Sequence, residues 1–144
     1  MRPSVDVVVP FRGDDASFGE LTARLGGLEL RDGDTLVVVD NTPETPRAGT
    51  LHAPEIATAA YARNRGAAEG SAEWLVFIDA DTAPAPDLLD HYFDPPPQDR
   101  TAILAGGVID EPVPPGAPAV TRYAHLRGLM KQDNTLGWGE WAFP

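Results

Sequence analysis

The sequence predicts an α/β domain built on a mostly parallel sheet. Three observations carry this. Residues 5–9, 35–39 and 74–78 are short apolar runs of strand length, the first two rich in valine. Helix-favouring segments separate them, as crossover connections between parallel strands require. Each run stops at proline or aspartate, so polar groups collect where the strands end.

The bulk properties are those of a globular chain. With 144 residues there is enough length for one domain with a core, and 42% hydrophobic with 23% charged residues is ordinary. The net charge of −11 argues against a nucleic-acid backbone or an anionic membrane as partner. The absence of cysteine excludes a disulfide framework and a thiolate metal site. No apolar run reaches the length of a membrane span and no signal peptide is visible, so a cytoplasmic location is expected.

Taken in order, Val5–Val9 forms the first strand, and Pro10 is expected to stop its ladder. Phe11–Asp15 is a loop. Ser17 and Glu20 have capping-box spacing, and Phe18, Leu21, Leu25 and Leu28 form a helical stripe closed by Gly26-Gly27. Thr35–Val39 is the second buried strand, ending in Asp40-Asn41-Thr42-Pro43. A right-handed crossover brings Asp40 beside the Pro10–Arg12 loop, although Asp-Asn is equally a turn former. Residues 44–55 are polar and proline-rich, with a short strand near Thr50–Ala53; residues 56–69 are helix-favouring and include Ala62-Arg63-Asn64-Arg65-Gly66.

Trp74–Ile78 reads as a strand buried on both faces. It runs into Asp79-Ala80-Asp81, and in extended chain residues i and i+2 share a side, so both carboxylates would face one ligand. Hard oxygen donors of this kind suit Mg²⁺ or Mn²⁺ carrying phosphates. The plainer reading is a strand end followed by a turn. Pro84–Asp87 opens a short helix with Leu88, Leu89, Tyr92 and Phe93 turned inward. Thr101–Ile109 is a further strand, bulged at Gly106-Gly107, and a helix runs from about Ala119 to Lys131. The three histidines are scattered, and no GxGxxG, P-loop, nucleophile elbow, HExxH or EF-hand pattern occurs.

Four motifs stand in order across residues 4–110: Val-Val-Pro-Phe-Arg, Val-Val-Asp-Asn, Ala-Arg-Asn-Arg-Gly and Leu-Val-Phe-Ile-Asp-Ala-Asp. This set resembles the nucleotide-binding half of the family-2 glycosyltransferases. The resemblance implies the GT-A fold, a Rossmann-like three-layer sandwich, and a metal-dependent, inverting sugar transfer from a nucleotide-diphospho-sugar. It implies that Pro10, Phe11 and Arg12 lie against base and ribose and that Asp40 bonds the base, often uracil. Arg63 and Asn64 would lie near base and diphosphate, Asp79 near ribose and metal, and Asp81 on Mn²⁺ or Mg²⁺. Asp40-Asn41-Thr42-Pro43 departs from the family's commoner Asp-Asp-Gly-Ser, which bears on base choice.

The resemblance further implies that residues 1–100 form the donor half and 101–144 the start of an incomplete acceptor half, since family members are usually longer and carry their catalytic base in that second half. Glu140 is the only late carboxylate in an aromatic setting; it is a candidate base, a surface glutamate or part of an acceptor-site wall. The expected partners are a nucleotide-sugar donor, UDP-sugar by preference, and a sugar, lipid or small-molecule acceptor. A full-length form could work at the inner membrane face. The rival from another class is a non-catalytic nucleotide-binding module or remnant whose apolar Trp138–Phe143 end makes a homodimer contact. A nucleotidyltransferase also combines such a sheet with acidic metal ligands, but it usually carries a glycine-rich loop where residues 10–15 hold only Gly13.

Overall fold

Four parallel strands form one sheet in the order β3-β2-β1-β4: β1 (Val5–Phe11), β2 (Thr35–Asp40), β3 (Leu51–His52) and β4 (Trp74–Phe77). The computed structural model describes residues 2–44, 46–109 and 112–127. The chain divides into two units, Met1–Arg100 and Thr101–Pro144, and the sheet lies in the first. Parallel strands with helical crossovers make this an α/β fold.

The central strand β1 is buried from Val5 to Val9, so both of its faces are covered. Alternation assigns the covers. Val8 packs with Val39, Ala53 and Ala62, the last from α2 (Ala59–Ala67), whereas Phe11, of opposite parity, meets Phe18 of α1 (Asp15–Leu25) edge to face at 5.4 Å. Gly66 is where α2 comes closest to the sheet: a Cβ there would lie 2.4 Å from Val8 Cγ1 and 2.8 Å from Val39 Cγ2.

Pro10 does not stop β1; the strand continues to Phe11, with Pro10 opposite Val39. The reason lies in the ladder. Ser4 and Val8 turn their carbonyls to the β4 side, accepting from Trp74 N and Ile78 N, so Pro10 faces that side too. Pairing with β4 has ended by then at Val8 opposite Phe77, and the missing N–H of Pro10 leaves no gap.

Other expectations need correction. The cap of α1 is Asp14, which accepts from Ser17 N at 2.9 Å, so the helix starts three residues earlier and Ser17 lies inside its first turn. Gly26 caps the other end, as expected. Strand β4 is not buried on both faces: Leu75 and Phe77 are 43% and 47% exposed. It is an edge strand, and α2 packs over β1 and β2 rather than over it. Its other face is covered, with Trp74 edge to face against Phe93 at 5.4 Å. The helix after Pro84–Pro86 is a single turn, α3 (Leu88–His91), with Leu89 and Phe93 buried.

In the second unit the strand expected over 101–109 is not formed: these residues carry no regular secondary structure, and Ile103 and Ile109 are exposed. The adjacent pair Gly106-Gly107 carries a high conformational-entropy cost in extended chain and offers no side chain to pack. The helix α4 (Ala119–Arg127) matches the expected start; its continuation to Lys131, Glu140 and the Trp138–Phe143 stretch lie outside the described residues. Among the described residues, no helix is long and apolar enough to cross a membrane.

Candidate functional site at the carboxyl edge of the sheet

Because β1, β2 and β4 are parallel, the residues that follow them emerge at one edge of the sheet. That edge of an open α/β sheet is where ligands bind. Pro10, Phe11, Arg12, Asp40, Asp79 and Asp81 all lie there. They gather in two groups.

The first group is built where β1 and β2 end side by side, with Phe11 opposite Asp40 and Asn41 N donating to Phe11 O at 2.8 Å. Asp40 accepts from Thr42 N at 3.0 Å, the self-closing turn that an Asp two residues before a free N–H favours. Asn41 is also buried and donates from Nδ2 to Ala53 O at 2.5 Å and Ile56 O at 2.8 Å, which fixes the path from β3 toward α2. The turn reading and the site reading of Asp40-Asn41 therefore describe the same atoms.

Asp40 is 0% exposed, and its second oxygen accepts from Arg47 Nη1 at 2.8 Å. Arg47 belongs to none of the four sequence motifs. It also donates to Thr42 Oγ1 at 3.2 Å, to Gly13 O at 2.9 Å and to Asp15 Oδ1 at 3.1 Å. Its guanidinium carbon lies 5.4 Å from the Phe11 ring centre and 5.5 Å from that of Phe18. Burial pushes the Asp40 carboxyl up, but the bonds from Thr42 and Arg47 outweigh it and hold the group below its usual range. Above this pair opens a cleft of about 560 Å³, lined by Arg12, Gly13, Asp14, Asp15, Thr42, Pro43, Glu44 and Arg47.

No motif marks Arg47 in the sequence. The available signal is scarcity: it is the only Lys or Arg between Arg31 and Arg63, and a carboxylate at the end of a buried strand needs a cation or several N–H donors.

The second group joins α2 to the end of β4. Thr58 caps α2 by accepting from Tyr61 N at 3.2 Å, and one turn further on Arg63 forms an ion pair with Asp79. Asn64 is exposed on the same helix. Asp79 and Asp81 are not in extended chain: β4 ends at Phe77, and Thr82 N closes a turn onto Asp79 O at 3.0 Å. Thr82 Oγ1 bonds the same oxygen at 2.7 Å. The i, i+2 strand geometry therefore does not apply to this pair, because its backbone bonds to itself instead of to a neighbouring strand. Both carboxylates are exposed, and Asp81 makes no hydrogen bond or ion pair among the described residues. Exposed carboxylate oxygens are the donor type that Mg²⁺ and Mn²⁺ take, alongside water and phosphate. Among the described residues no group of three or more His, Cys, Asp or Glu converges as a metal site.

The chain matches no protein-family model, and no curated protein matches it.

Proposed function

We propose that the carboxyl edge of the sheet binds a nucleotide-diphospho-sugar together with a divalent cation, and that this is the donor half of an inverting glycosyltransferase with a GT-A, family-2 type of fold. The observation that carries the reading is convergence: motif residues from three separate strands and from α2 meet at one edge of one parallel sheet. In this reading Pro10, Phe11, Arg12 and Asp40 hold the base and ribose in the cleft, with uracil the favoured base. Arg63 and Asn64 contact the diphosphate. Asp79 orients the ribose and the neighbourhood of the metal, and Asp81 ligates Mn²⁺ or Mg²⁺. When bound, the cation supplies positive charge to the departing diphosphate. Arg63 adds a second positive charge on that side once Asp79 turns to the donor. An acceptor hydroxyl would need a general base; Glu140, the candidate for it, lies outside the described residues.

The test is a thermal-shift series with UDP, GDP and dTDP, each with and without Mn²⁺. A nucleotide present at a hundred times its dissociation constant stabilises by about 2.7 kcal/mol, which at this chain length is a shift of roughly 5–10 °C. The expected outcome is a metal-dependent shift for one nucleotide that Asp81→Ala abolishes. Absence of a shift with every nucleotide, in a protein that melts cooperatively, removes the donor-site reading.

A further inference from the structure

The carboxylate best placed to read a base is closed off by the protein itself. Asp40 has no exposed surface, and each of its oxygens already accepts a bond, one from Thr42 N and one from Arg47. What covers it is chemically specific. The guanidinium is planar, lies over the Phe11 ring, and points N–H donors at a buried acceptor. A nucleobase with a ring N–H presents the same features: a flat π-face for the aromatic ring and an in-plane donor for the carboxylate.

The segment that delivers Arg47 is held chiefly through that one residue. Among the described residues from 43 to 49, every one but Arg47 is exposed, so few buried side chains oppose its lifting. A place for the displaced cation exists at the rim, where Asp15 already bonds Arg47 and is itself nearly fully exposed, and where Asp14 and Glu44 line the same cleft.

We propose that Arg47 is a built-in competitor for the base: it occupies the base position against Phe11 and Asp40, and a nucleotide binds by displacing it. The proposal rests on the donor-site reading above and narrows it. Uracil, thymine and guanine carry an N–H donor in the ring, where it can reach Asp40 while the ring lies on Phe11; adenine and cytosine offer only an exocyclic amino group, which sits farther out from the ring, and are expected to compete less well. Wild-type affinity is then lowered by the fraction of molecules in which Arg47 is already displaced.

Titration calorimetry in Mn²⁺ with UDP, GDP, ADP and CDP tests this on the wild type, Arg47→Ala and Arg47→Lys. The alanine variant is expected to melt at a lower temperature yet bind UDP or GDP on the order of tenfold more tightly. Lysine, compact and unable to match the planar fork, is expected to fall between. Stability and affinity thus move in opposite directions, which a brace for the site would not produce. ADP and CDP are expected to gain little. If the wild type binds a nucleotide and folded Arg47→Ala binds it no more tightly, the competitor role is overturned and the donor site stands. Should the alanine variant fail to melt cooperatively, the lysine variant decides by the same criterion. If neither wild type nor variant binds any nucleotide, both readings fall.

Discussion

At the amino end of the sheet, the side chains of Arg2 and Asp34 are 4% and 1% exposed, and Asp34 takes Arg2 Nη2 at 2.5 Å, Arg31 N at 2.7 Å and Val5 N at 3.0 Å. Arg2 Nε reaches on to Asp90 at 2.7 Å, and Arg31 pairs with the same carboxylate. At the carboxyl end, Arg63 and Asp79 are 34% and 60% exposed, and Asp81 has no partner among the described residues. The residue types are the same; the accounting of donors and acceptors differs. Where backbone N–H groups and guanidinium together fill a carboxylate, the pair joins segments far apart in sequence and serves the fold. Where an acidic side chain stands exposed at the end of a parallel strand without such donors, it remains available to a ligand. The Asp40–Arg47 pair lies between these cases, filled like the first and located like the second.

The contrast is easiest to break at Asp34. Replacing it with alanine leaves a buried guanidinium without its main partner and strands two backbone donors, a loss of about 3 kcal/mol. Urea unfolding should register that loss, while the nucleotide affinity of the folded fraction should not move. An equal loss of affinity would mean the two ends are coupled.

A smaller effect is expected in the pH dependence. The bond from Arg2 is the main cause holding the Asp34 carboxyl below its usual range, against the opposing push of burial. Asp90 is held low as well, first by Arg2. A lowered carboxyl contributes stability that is present above its unfolded pKa of about 3.9 and is lost as pH falls through the folded value. The difference in unfolding free energy between wild type and Asp34→Asn should therefore be steady from pH 7 to 5 and narrow below about pH 4. A difference that stays constant down to pH 2.5 would show that the carboxylate charge is not what stabilises this end.

The smallest change in stability is expected at the other end. Asp81→Ala should shift the unfolding free energy by less than about 0.5 kcal/mol, although the same substitution is expected to remove metal-dependent nucleotide binding. A clearly destabilised Asp81→Ala would place this residue with the structural carboxylates and erase the contrast.

Much of the framework could be read in advance because local rules and tertiary packing agree there. Val5–Val9, apolar apart from Asp6, and Leu36–Val39 become the two inner strands, and Gly26 closes α1 where the apolar stripe ends. Reading failed where a residue answers to a neighbour distant in sequence. Pro10 is tolerated only because β4 stops short of it. Leu75 and Phe77 look like core and lie exposed, because a run of apolar residues does not say whether its strand is central or at an edge. Asp79 and Asp81 sit in a turn, a choice made by Thr82 bonding back to Asp79.

By itself the sequence determined the order and kind of the main elements in the first 100 residues, the parallel sense of the sheet, and that the strand-end residues Phe11, Asp40 and Asp79 lie toward its carboxyl edge. Hydrophobic periodicity and crossover handedness are enough for that, since both act on short stretches and on chain direction. Only the tertiary structure decided how those polar residues are paired. It set Arg47 on Asp40, Arg63 on Asp79 and Arg2 between Asp34 and Asp90, separations of 7, 16, 32 and 88 residues. A charge finds its partner through burial and geometry across the folded chain, and no local pattern records that choice.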